Sequence, residues 1–113
     1  MAEAATRGAN QNRATVAAQT AISTAAALVS YQKPERVFLR VQNTGTTIIY
    51  LNMNDTAPTS SVYHAAIAGG SVANDGTGGV FSVDMWGGPI MAISSAIGGL
   101  MVITEVLAPP SWE

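Results

Sequence analysis

Hydrophobic and polar residues alternate most regularly from Arg36 onward. Val37, Leu39 and Val41 share one side of an extended segment, while Phe38, Arg40 and Gln42 share the other. That period of two is the signature of a strand with one buried face. After the turn-forming cluster Asn43-Thr44-Gly45-Thr46, Ile49, Leu51 and Met53 alternate with Ile48, Tyr50 and Asn52. The two runs together predict an antiparallel hairpin. Asn54 to Ser61 reads as a loop, Val62 to Ala68 as a short apolar run closed by Gly69-Gly70, and Asp75-Gly76-Thr77-Gly78-Gly79 as a further turn. Val80 to Met85, Ile90 to Ser94 and Leu100 to Val106 supply three more strands, the last two separated by Ser95-Ala96-Ile97-Gly98-Gly99.

Upstream, Thr15 to Ser30 is ambiguous. Its alanines favour helix, whereas Thr15, Val16, Thr20, Ile22, Thr24 and Val29 favour strand, the preferred assignment here. Residues 1 to 14 are polar and small without periodicity and read as an arm; residues 107 to 113 read as a tail. Met85 to Thr104 is a long uncharged stretch, but Gly87-Gly88-Pro89, Ser94-Ser95 and Gly98-Gly99 interrupt it, so two buried strands are expected rather than a membrane helix. Short strands with frequent turn signals and no βαβ alternation predict an all-β fold. The expected organisation is a single antiparallel β-sandwich or jelly-roll-like domain over residues 15 to 106, with an extended N-terminal arm (1 to 14) and a C-terminal tail (107 to 113).

Composition sharpens this picture. At 113 residues the chain is the size of one domain. With no cysteine, it has no disulfide, thiolate metal site or thiol chemistry. Charged residues make up 11%, well below the quarter usual in soluble domains. That scarcity suits a surface largely covered by other chains, and is also compatible with an ordinary stable β-domain. All the basic residues, Arg7, Arg13, Lys33, Arg36 and Arg40, lie in the first 40 positions, and residues 41 to 113 carry only acids. This polarity is either accidental or a means of docking between chains. Nucleic-acid binding is disfavoured, because the chain is acidic overall and scattered arginines make no phosphate-tracking stripe. No membrane partner is expected either, and the first residues lack the apolar stretch of a signal peptide.

Catalytic chemistry has little to build on. His64 is the single histidine, with Asp55, Ser60 and Ser61 nearby in sequence, but no nucleophile elbow or second base accompanies it. The glycines of residues 75 to 79 lack the lysine of a phosphate cradle. Asp55, Asp75 and Asp84 are too dispersed for a calcium loop. No enzyme, cofactor or metal is therefore expected. Interaction features say more. Pro109 and Pro110 favour an extended tail that carries Trp112, which either anchors in a neighbour's pocket or folds back onto its own sandwich. With Arg7 and Arg13 of the arm, these are the candidate interaction residues. Trp86, beside Gly87-Gly88-Pro89, reads as a strand-end core or rim residue.

Two blocks of residues are familiar. Pro34-Glu35-Arg36-Val37-Phe38-Leu39-Arg40-Val41-Gln42-Asn43-Thr44-Gly45 and then Thr47-Ile48-Ile49-Tyr50-Leu51-Asn52 resemble a pattern of small virion proteins of tailed bacteriophages. A proline and an arginine precede a strand ending in Gln-Asn, a small turn follows, and the next strand carries an aromatic residue. Ile67-Ala68-Gly69-Gly70-Ser71, Gly88-Pro89-Ile90-Met91-Ala92-Ile93 and Leu100-Met101-Val102-Ile103-Thr104-Glu105-Val106 extend the likeness over roughly residues 26 to 106. The resemblance implies a compact β-sandwich that decorates or cements a capsid, or belongs to a head-fibre or tail accessory. Its partners would be the major capsid protein and further copies of itself in a homo-oligomer such as a trimer, at the outer surface of the virion. A carbohydrate-binding sandwich, with Trp86, Trp112, Tyr50 and Tyr63 as stacking faces, is the alternative outside that class.

Overall fold

Alternation of inward and outward side chains becomes two antiparallel sheets packed face to face in the computed structural model, which describes residues 13–14 and 18–108. The strands are β1 (Arg13–Ala14), β2 (Ala18–Ile22), β3 (Ala27–Ser30), β4 (Arg36–Asn43), β5 (Ile49–Asn52), β6 (Ala65–Ile67), β7 (Val80–Asp84), β8 (Ile90–Ser94) and β9 (Gly99–Leu107). In the first sheet β9 pairs with β4, β4 pairs with β7, and both β1 and β2 lie along the other side of β9. The second runs β3-β8-β5-β6. Eight strands, β2 to β9, thus divide four and four, with the chain passing from sheet to sheet at almost every connection. This is jelly-roll topology, so the all-β sandwich expected from the pattern is the fold observed.

The core lies between the sheets. Ile22, Leu39, Val41 and Met101 come from the first, and Ile49, Leu51, Ile67, Ile90 and Ala92 from the second. Most are β-branched or leucine, which suits a pleated surface buried on one side. The ambiguous stretch before residue 30 resolves into β2 and β3, separated by a break at residues 23–26.

Two connections differ from expectation. The hairpin predicted between β4 and β5 does not form, because β4 has its edges taken by β7 and β9 while β5 sits between β6 and β8 of the other sheet. The cluster at residues 43–46 is instead a crossover held by the Asn43 side chain. Its Nδ2 donates to the Thr47 and Ile67 carbonyls (2.6 and 2.9 Å), and its Oδ1 accepts from Gly45 N (3.0 Å). Likewise β8 and β9 form as strands but belong to different sheets. Among the described residues β5 and β6 are the only consecutive strands paired with each other.

β4 contains a second irregularity. Arg36 pairs with Leu107 and Phe38 with Val106, which leaves Val37 as the extra residue of a bulge. The bulge reverses the alternation, so Arg36 turns inward with Leu39, Val41 and Asn43 instead of outward with Arg40.

Candidate functional site

The bulge delivers a guanidinium to the end of the sandwich where β3 and β7 finish and β4 and β8 begin. Arg36 is only 2% exposed, and each of its five N–H groups has an acceptor. Nε donates to Glu105 Oε2 (2.9 Å), one terminal nitrogen to the Trp86 and Gly88 carbonyls (3.0 and 2.9 Å), and the other to Ser30 Oγ and the Tyr31 carbonyl (2.7 and 3.0 Å). The Ser30 hydroxyl donates to Glu105 Oε2 (2.8 Å), and Lys33 Nζ reaches Glu105 Oε1 (2.5 Å) while lying 4.7 Å from the centre of the Tyr31 ring. One buried knot therefore joins β3, β4, β9 and the β7–β8 loop. Burial by itself raises the Glu105 carboxyl, but hydrogen bonds from Lys33 and Ser30 and the charges of Lys33 and Arg36 outweigh it, holding the group below the usual glutamate value.

The uneven charge of the sequence takes on a structural meaning here. Two of the basic residues from the first 40 positions neutralise an acid from the last strand within the same chain. Nothing in the alternation pattern disclosed this, since it places Arg36 on the solvent side.

The ends of the described domain meet beside the knot. Arg13 pairs with Leu107 and Ala14 with Val106, and Ala108 N donates to the Glu35 carbonyl (2.8 Å). Arg13 of the sequence-derived set is thus placed by its backbone on the edge of β9. Arg7, Pro109, Pro110 and Trp112 lie outside the described residues. Segments 1–12 and 109–113 are attached at this corner.

The outer face of the second sheet is different. Tyr50 pairs with Ile93 and Ala66, and Leu28 with Met91. These positions point away from the core side chains Ile49, Leu51 and Ala92, and none is charged. Tyr63 leans on Tyr50 with ring centres 5.0 Å apart and planes at 43°. Beside Tyr50, at the end of the sandwich opposite the knot, an open depression of about 350 Å³ is bordered by Thr24, Thr59, Ser60, Ile93 and Ser95.

The remaining residues singled out in the sequence have modest roles. His64 is exposed, its Nδ1 accepting from Met53 N (2.8 Å), and among the described residues no hydrogen bond joins it to Asp55, Ser60 or Ser61. Asp75 accepts from Val72 N, Thr77 N and the Thr77 hydroxyl, so residues 72–77 form a self-bonded turn. Trp86 is half-buried against the core, as expected of a strand-end residue. Among the described residues no cluster of three potential metal ligands occurs, and no helix is long and apolar enough to cross a membrane.

No family model matches the chain, and neither does any curated protein. One solved structure similar in fold is described as "Bacillus endospore appendages form a novel family of disulfide-linked pili". The match covers 88% of this chain and 90% of that one, with a TM-score of 0.51 at 13% identity. It shows a shared sandwich fold. None of these comparisons shows a phage virion family.

Proposed function

We propose that the chain is a structural subunit rather than a catalyst, one that decorates or cements a tailed-phage head by binding the major capsid protein and further copies of itself. The observation that carries this reading is the terminal corner. Arg13 and Leu107 are direct partners, so two covalently attached segments, residues 1–12 and 109–113, address a neighbour from one place. The Arg36–Glu105 knot beneath ties that corner into both sheets, so a load on either segment spreads into the whole sandwich. An interface of standard size buries about 1,600 Å² in total, and many copies on one shell add avidity. The 12 residues before β1, if extended, would span about 40–43 Å, enough to cross from one subunit to the next.

A second reading, a subunit of a surface filament, is favoured by the likeness to the Bacillus appendage structure. Without cysteine, this chain would have to join such a filament by something other than disulfides.

Co-sedimentation with DNA-free phage shells lacking the protein, preceded by its mass in solution, separates the two. Saturable binding at a fixed ratio to the major capsid protein, lost on removing residues 1–12 and 109–113 from a chain that keeps its β-sheet spectrum, is the expected result. Undiminished binding by the shortened chain overturns the role assigned to the corner. Filaments formed by the protein alone, seen by electron microscopy, favour the second reading.

A further inference from the structure

The depression beside Tyr50 has the makings of a sugar-binding site, and the proposed structural role makes no use of it. Among its bordering residues are one aromatic ring, one aliphatic side chain and several hydroxyls, with no charge. The hydroxyls differ in how far they are already committed. Ser94, which also borders it, is spent, bonded to the Ala96 carbonyl and the Thr47 hydroxyl (both 2.7 Å). Thr59 Oγ1 accepts from Ser61 N and Val62 N, and Ser95 Oγ accepts from Ile48 N (3.0 Å). Each of these two therefore has its O–H proton still to give, in an orientation set by the backbone. Thr24 and Ser60 make no hydrogen bond to other described residues and are exposed, free both to donate and to accept.

A ligand matching this surface must be uncharged, carry several hydroxyls that donate and accept, and present a patch of C–H groups to the Tyr50 ring and Ile93. Those are the properties of a neutral pyranose. An anionic ligand finds no cation here, and a purely apolar one would strip water from the Thr59 and Ser95 hydroxyls with nothing in return. The tilted contact with Tyr63 holds the Tyr50 ring, so little side-chain freedom is lost on stacking.

We infer that the open depression formed by Tyr50, Ile93, Thr24, Thr59, Ser60 and Ser95 binds a neutral hexose or N-acetylhexosamine of a glycan. The reading is independent of the proposed shell role. It is compatible with that role because the depression lies at the end of the sandwich away from the terminal corner.

The test is an array of neutral and sialylated or sulfated glycans probed with the full chain, followed by titration of the best neutral oligosaccharide by NMR and calorimetry. Binding of neutral glycans, with Tyr50 and Ser95 resonances shifting, is expected. Tyr50→Ala should weaken it about tenfold, the scale of one lost ring contact. Tyr50 is half-buried in β5, so Ser60→Leu is the second variant: it replaces an uncommitted hydroxyl by an apolar branch at an exposed position without breaking any hydrogen bond, and should weaken binding at least about tenfold. No neutral glycan bound by the folded protein, a preference for acidic glycans, or binding unaffected by Ser60→Leu would each overturn the inference.

Discussion

Arg36 shows how one side chain decides local architecture. A guanidinium without charge partners in the core would cost several kcal/mol, and five acceptors, one of them the Glu105 carboxylate, make it tolerable. Removing one member of such a group is costlier than never having had it, because the charge left behind is uncompensated. Glu105→Gln should therefore destabilise the protein at pH 7 by about 3–5 kcal/mol in urea unfolding. The pH dependence has a definite sign. The folded carboxyl titrates below the usual glutamate value, so its contribution is complete above the unfolded pKa and is lost as pH falls below about 4.5. Wild type should lose stability through that acid window while Glu105→Gln loses less, and parallel curves for the two proteins would refute the role of Glu105. Extending the period of two back from Phe38 and Arg40 would place Arg36 outward, opposite to where the fold puts it. A bulge at Val37 is a backbone event with no residue signature of its own.

At the scale of elements, the strands were legible and the connections were not. The apolar positions of β4 and β5 announce themselves by alternation, and β7, β8 and β9 stand out as apolar runs bounded by turn residues. Asn43-Thr44-Gly45, by contrast, carries the same small polar residues whether the chain turns back beside itself or crosses to the opposite sheet. What selects the crossover is tertiary. Asn43 is wholly buried and bonds the Thr47 and Ile67 carbonyls, while its own carbonyl occupies the space where a Cβ on Gly78 would stand. Glycine at 78 is thus required for close approach of two backbones, not for turning. Asn43→Ala strands two buried carbonyls and one amide and should cost about 3 kcal/mol or more. Gly78→Ala should cost at least about 2 kcal/mol by forcing the β4 terminus away from the 77–79 segment. Thermal unfolding of both variants checks the assignment, and a Gly78→Ala protein as stable as wild type would mean that the two backbones are not packed this closely. The depression was legible only in part. Of the stacking faces expected from the sequence, Tyr50 and Tyr63 lie together, Trp86 is engaged with the core and Trp112 lies outside the described residues, while the hydroxyls come from three separate segments that only the fold assembles.

For the whole molecule, the order of the strands matters more than their number. β9 is last in the chain yet central in the first sheet, flanked by β4 on one side and by β1 and β2 on the other. It also carries Glu105 and Met101, one the counter-charge of the knot and the other a fully buried core residue. Until residues 99–107 are in place, β2 has no partner in its sheet, β4 keeps only β7, and Arg36 has no carboxylate. Pairings this distant in sequence close large loops before any contact rewards them, which places refolding in the millisecond-to-second range typical of such sandwiches. A chain ending at Gly98 should consequently show no cooperative unfolding transition by circular dichroism, although it retains most of the core residues, whereas the full chain shows one. A sigmoidal transition in the shortened chain would mean that the β3-β8-β5-β6 sheet is stable by itself, and that β9 is an addition to the fold rather than its last structural requirement.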